Sequence, residues 1–133
     1  MYMLDTDICI YLINNKNPEL ARRIISIPRE RLCMSIITYA ELEYGVSKSK
    51  HVEKNSQALK KFASVIGVAD FDNEAAVEYG RIRTALELKG QPIGVLDMLI
   101  ASHAKSRGDT IITNNCREFD KVDGLRVENW VNA

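Results

Sequence analysis

Histidine is nearly missing from this sequence: His51 and His103 are the only two. That leaves thin material for a histidine metal centre or for Ser-His-Asp chemistry. His103 reads as a helix-surface or packing residue. Cysteine is also scarce. Cys9, Cys33 and Cys116 are odd in number and widely spaced, with no CxxC, which argues against a disulfide framework or a zinc site. The usage suits a reduced, cytoplasmic setting. There is no excess of charge: 18 Lys+Arg balance 18 Asp+Glu. No net positive field advertises nucleic-acid binding, so any basic surface must come from local clustering. No run approaches the roughly 20 apolar residues of a membrane span. Asp5 and Asp7 interrupt the only N-terminal candidate for a signal peptide. Internal repeats and low-complexity tracts are absent too.

What is present is a regular alternation of short apolar runs and one-sided helical stripes. The 133 residues suit a single domain, residues 1–133. Tyr2 to Leu4 read as a short buried strand, and Ile8 to Ile13 as the first turns of a buried helix. Pro18 is placed to open the next helix, and Pro28 ends it. Leu32-Cys33-Met34-Ser35-Ile36-Ile37 is a continuous apolar run suited to a strand covered on both faces. Thr38-Tyr39-Ala40-Glu41 matches a capping box, which predicts a helix beginning there. Ala58 to Ile66 supply another apolar face. Asp72-Asn73-Glu74 opens a long helix. Val95 to Lys105 is a helix apolar almost all round, stopped by Gly108. Thr110 to Thr113 is a further buried strand, and Leu125 to Trp130 a final packing segment. The expected fold is an α/β sandwich around a mainly parallel sheet.

In such sheets ligands bind beyond the carboxyl ends of the strands, and acidic residues recur there. Asp5 ends the first strand, where it is either a helix cap or a site residue. Asp7, two residues on, is a candidate to serve as that cap and leave Asp5 free. Glu41 has its own structural reading as the third residue of the capping box. Asp97 is the sharpest signal. It sits between Val95-Leu96 and Met98-Leu99-Ile100-Ala101, where a charge is expensive unless paired, hydrogen-bonded or metal-bound. Asn114 and Asn115 follow the last strong strand, with Glu118 close behind. Clustered carboxylates repel one another and any phosphate. With a hard divalent cation the field inverts, and hydrolysis of a phosphodiester by metal-activated water becomes accessible.

Four motifs stand in order: Met3-Leu4-Asp5-Thr6; Ser35 to Leu42 with Gly45; Pro92-Ile93-Gly94 with Asp97 and Ile100-Ala101; and Thr113-Asn114-Asn115 with Arg117-Glu118-Phe119. Together they resemble the PIN-domain ribonuclease toxins of type II toxin–antitoxin systems, the VapC family. The resemblance runs the length of the chain. It implies a PIN-like α/β domain with a parallel sheet wrapped by helices, and a cytoplasmic endoribonuclease using Mg²⁺, or Mn²⁺ in its place. It implies cleavage of structured RNA, with tRNA anticodon loops leading. It implies toxin homodimers, a VapB-like antitoxin that blocks the site, and operator DNA reached only through that antitoxin. The family's acidic positions fall on Asp5, Glu41 and Asp97, with Asp5 and Asp97 as metal ligands. A frequent fourth Asp falls on Asn115. Thr6, Asp7, Thr113, Asn115 and Glu118 are candidates for further ligation or support. Arg22, Arg23, Lys48, Lys50, Arg81, Lys89 and Arg117 are candidates for phosphate contacts, against the reading that most are solvated surface charge.

Two rival readings exist. One is a phosphatase using Asp5 as nucleophile and Asp7 as acid, with Gly108-Asp109-Thr110 as a distal metal loop. The other is a non-catalytic RNA- or protein-binding module on the same fold.

Overall fold

The computed structural model describes residues 1–131; the last two residues of the expected 1–133 domain lie outside the described residues. The chain opens with β1 (Tyr2–Leu4), α1 (Thr6–Ile13) and α2 (Pro18–Ile25). A 3-10 turn at Arg29–Arg31 leads to β2 (Leu32–Ser35) and then α3 (Ile36–Ser47). Next come α4 (Val52–Ile66), β3 (Val68–Ala69), α5 (Asn73–Leu88) and α6 (Val95–Arg107). The described chain closes with β4 (Thr110–Ile112), α7 (Cys116–Phe119) and β5 (Val127–Glu128).

The strands form one sheet in the order β3-β2-β1-β4-β5. Every pairing is parallel, with Tyr2 opposite both Leu32 and Thr110. Successive strand residues point to opposite faces, and both faces here are covered. Met3, Cys33 and Ile111 pack on one side against Ile82 and Leu86 of α5 and Met98, Ile100, Ala101 and Ala104 of α6. Leu4, Met34 and Ile112 pack on the other against Ile8, Leu20, Ile24, Leu59 and Ile66 of α1, α2 and α4, with Trp130. Two-sided burial explains why the strands read as unbroken apolar runs. Among the described residues no helix is long and apolar enough to cross a membrane.

Two local expectations need correction. The apolar run from Leu32 is strand only as far as Ser35; Ile36 and Ile37 are already helical. The cap of α3 is Ser35, whose side chain accepts from the Ile37 N–H, so Thr38 lies inside the helix and the Thr38–Glu41 capping box does not form. Ser is as good a cap as Thr. Ser35 prevails because its hydroxyl also meets His103 Nδ1 of α6 at 2.7 Å, a partner 68 positions away. His103 is therefore a packing residue and not a surface one: it is 1% exposed, edge-on to Phe71. Other stops and starts follow local chemistry. Asp72 caps α5, and Gly108 ends α6 at φ 73, the left-handed turn that favours glycine.

Candidate active site

The strand order reverses beside β1, between β1 and β4, which creates a crevice at the carboxyl edge. Asp5 follows β1 directly and is 5% exposed. It is itself the cap of α1: the Thr6 N–H donates to Oδ1 at 2.8 Å. The expectation that Asp7 takes the capping role and frees Asp5 is thus wrong. The second oxygen of Asp5 accepts from Thr113 Oγ1 at 2.7 Å, across from the end of β4. Thr113 Oγ1 also accepts from the Asn115 N–H at 2.9 Å. One hydroxyl therefore fixes both Asp5 and the turn that carries Asn115. Asp7 is held separately, accepting from the N–H groups of Ile8 (2.8 Å) and Asn114 (3.1 Å). Thr6 Oγ1 meets Thr38 Oγ1 at 3.3 Å and joins α1 to α3.

Asp97 stands half-buried in the first turn of α6, where the helix dipole favours negative charge. Gly94 caps that helix and lies close to the carboxylate: a Cβ there would stand 3.6 Å from Asp97 Oδ2, in ordinary contact. Glu41 lies one turn into α3, partly buried, and Glu118 in α7.

These acids act on one another. Burial pushes the Asp5 carboxyl up to about 7, with the charges of Asp7 and Asp97 raising it further against the bonds from Thr113 and Thr6. Burial raises Asp7 as well. Asp97 is raised by burial and by the charges of Glu41, Glu118 and Asp7. The charges that raise Asp5 and Asp97 are all carboxylates. Five of the expected residues, Asp5, Asp7, Glu41, Asp97 and Glu118, thus share one electrostatic neighbourhood, with Thr113 and Asn115 at its margin.

Among the described residues no three His, Cys, Asp or Glu side chains are placed to hold a metal ion together. That is compatible with Mg²⁺ or Mn²⁺, which keep several waters and take only one or two protein carboxylates. A carboxylate has about four lone-pair positions. One hydrogen bond to each oxygen of Asp5 leaves positions for a cation. Lys121 pairs with Glu118 at 3.4 Å; the negative charge left on Asp5, Asp7, Glu41 and Asp97 is the donor chemistry a hard cation matches.

The phosphatase alternative does not survive the geometry. Asp109 lies at the amino end of β4, the edge opposite Asp5, with Oδ2 bound to Arg107 Nε at 2.7 Å and to Cys33 Sγ at 3.7 Å. It is a buried ion pair and not a distal metal loop. Sequence reasoning missed Ser35, whose signal was a Ser immediately before a helix.

The PIN domain family model matches residues 2–125. The chain is 46% identical over 129 residues to the tRNA(fMet)-specific endonuclease VapC of Shigella flexneri, covering 97% of each. Its fold matches that of VapBC2 from Rickettsia felis, bound to a DNA fragment from their promoter, with a TM-score of 0.91 and 41% identity over 97% of this chain and 98% of that one. It matches DNA-bound VapBC from Salmonella typhimurium with a TM-score of 0.92 and 43% identity over 97% of each chain.

Proposed function

The chain belongs to the PIN-domain family and, within it, to the VapC ribonucleases of toxin–antitoxin systems, and from that footing we propose that it hydrolyses RNA phosphodiesters with Mg²⁺ or Mn²⁺ held by Asp5 and Asp97. The observation that carries this is the cluster of carboxylates at the strand-order reversal, with Asp5 raised to about 7. Bound there, such an ion lowers the pKa of its water and polarises a phosphoryl oxygen. The chain's own residues do the rest. Asp5 is oriented by Thr113 and Thr6. Asp97 faces it from the start of α6. Glu41, Glu118, Asp7 and Asn115 act through water, holding a nucleophile in line and accepting its proton. The substrate class is tRNA, in keeping with the specificity named for the Shigella relative, and the cytoplasm is where that substrate is met.

The partner is a VapB-like antitoxin, in keeping with the VapBC assemblies of Rickettsia felis and Salmonella typhimurium whose fold the chain matches. One apolar groove of about 220 Å³ runs past Glu41 between α1, α3 and α4, lined by Ile10, Leu42 and Leu59. A second of about 430 Å³ between α1, α2 and α4 shares Ile13 and Ala58 with it. An apolar antitoxin segment fits this track, with an Arg or Lys reaching toward Asp5 and Asp97. Operator DNA is then engaged through the antitoxin by a toxin homodimer.

The test is cleavage of tRNA by purified protein with Mg²⁺ or Mn²⁺. EDTA should stop it. Asp97→Asn should lower it by at least ~100-fold with an unchanged circular dichroism spectrum, since removing a preorganised charge typically costs that much. Full activity in that variant would refute the assignment.

A further inference from the structure

A pocket of about 280 Å³ lies between α5, α6 and the segment after α7. Arg81, Lys89, Lys105 and Lys121 line it, with Glu78 and Asp123 as its acids. Each cation has an acidic neighbour, Arg81 and Lys105 at Glu78, Lys89 at Asp123 and Lys121 at Glu118, and the four outnumber those three acids by one. We infer that this pocket seats a backbone phosphate of the RNA substrate, a few nucleotides from the bond that is cut; the inference rests on the nuclease reading above.

The lysines are already aimed. Lys89 Nζ meets Asp123 Oδ2 at 2.5 Å. Lys105 Nζ donates to the Asp123 carbonyl at 2.9 Å and lies 3.9 Å from Glu78. Gly124 packs beside it at φ +79, a backbone conformation that favours glycine. The Lys89–Asp123 pair is a surface pair, its side chains 42% and 83% exposed. Such exposed pairs are weak, so a phosphate competes for the cations at little cost.

The pocket is also connected to the acidic centre. Lys121 Nζ lies 3.4 Å from Glu118 Oε1, and the charge of Glu118 acts on Asp97. Asp97 and Lys105 share one helix, eight residues apart, or about 12 Å along its axis. A stacked strand rising about 3.4 Å per nucleotide covers that in three or four nucleotides. A polyanion held at the metal thus meets a fixed positive seat where its flanking chain passes. Phosphate contacts of this kind set register and carry no sequence information.

The experiment compares the full chain with its Lys89→Gln/Lys105→Gln variant, and with a Lys54→Gln/Lys60→Gln control that removes the same charge from α4. Binding of fluorescent tRNA is measured in the inactive Asp97→Asn background across a salt series. The pocket variant should bind about five- to tenfold more weakly at physiological salt, and its dependence of log K on log[salt] should be shallower by about 1.4, roughly 0.7 for each lost contact to a single strand. The control should match the unaltered protein. In the active background, the pocket variant should cut an RNA trimer, too short to reach the pocket, as well as the unaltered protein does. An unchanged salt slope, an equal loss in the control, or an equal loss on the trimer would overturn the assignment. Failure of the unaltered protein to cut any RNA would instead overturn the nuclease reading, and the binding series would still decide the pocket.

Discussion

Thr113 Oγ1 donates to Asp5 Oδ2 across 2.7 Å, joining two residues 108 positions apart at the ends of adjacent parallel strands. The same oxygen accepts the Asn115 N–H. The aim of Asp5 and the path of the chain after β4 therefore depend on one buried hydroxyl. Thr113→Val should leave Asp5 with one bond fewer and its carboxyl higher still. A hydrogen bond to a charged group contributes about 1.5–3 kcal/mol, so Mn²⁺ affinity should fall roughly tenfold by calorimetric titration. Thr113→Ser should retain it. Equal losses in both variants would show that the methyl group, and not the hydroxyl, matters.

Asp5 also predicts a pH dependence. Its folded pKa, about 7, lies above the value of 3.8 for a free carboxyl. For a raised acid, the native state binds the proton more tightly than the unfolded chain. The cost of burying the charge is absent below about pH 4, grows between about pH 4 and 7, and is complete above that. It is at most ~4 kcal/mol and smaller because Asp7 and Asp97 share the charge. Without metal, the stability gained by Asp5→Asn over the unaltered protein should grow from pH 5 to pH 8 in urea melts. Saturating Mn²⁺ should reverse that order at pH 8, because the ion binds the deprotonated form. A difference independent of pH would mean that Asp5 titrates normally.

Ser35 and His103 make a third test. The hydroxyl accepts from the Ile37 N–H, so its own proton is free to donate to His103 Nδ1. The other ring nitrogen, Nε2, has no hydrogen-bond partner among the described residues. Burial lowers the pKa of this imidazole, keeping it neutral. Ser35→Ala removes a helix cap and a buried partner at once and should cost about 2–3 kcal/mol. Ser35→Thr should recover most of it. A loss under about 0.5 kcal/mol for Ser35→Ala would show that the bond between β2 and α6 is dispensable.

Asn115 tests the fourth acidic position. A neutral amide there offers one oxygen and no charge. Asn115→Asp adds a negative charge beside the cation and should tighten Mn²⁺ binding by about an order of magnitude. The unaltered protein should titrate with one ion in the absence of RNA. Two tight ions in the unaltered protein, or no gain in the variant, would contradict this.

Several features needed only the sequence. The buried strands were legible because both sheet faces are covered, so apolar runs have no polar alternation. The end of α6 was legible because Gly108 is a local stop. Asp97 stood out because a charge between Leu96 and Met98 conflicts with its immediate neighbours. Such signals are short-range and survive in one dimension. The start of α3 was misread because Ser35 and Thr38 are equally good caps, and the choice between them was made by His103, 68 positions away. The capping role of Asp5 was misassigned for a similar reason: Thr113 and the β1–β4 pairing hold its carboxyl at the helix start while Asn114 draws Asp7 aside. Of the basic pocket, Arg81 and Lys89 were legible only as scattered candidates for phosphate contact, since its lysines come from three separate segments and converge only when α5 packs on α6. Local chemistry offers the chain several nearly equal arrangements, and long-range contacts, unavailable until the sheet closes, select one.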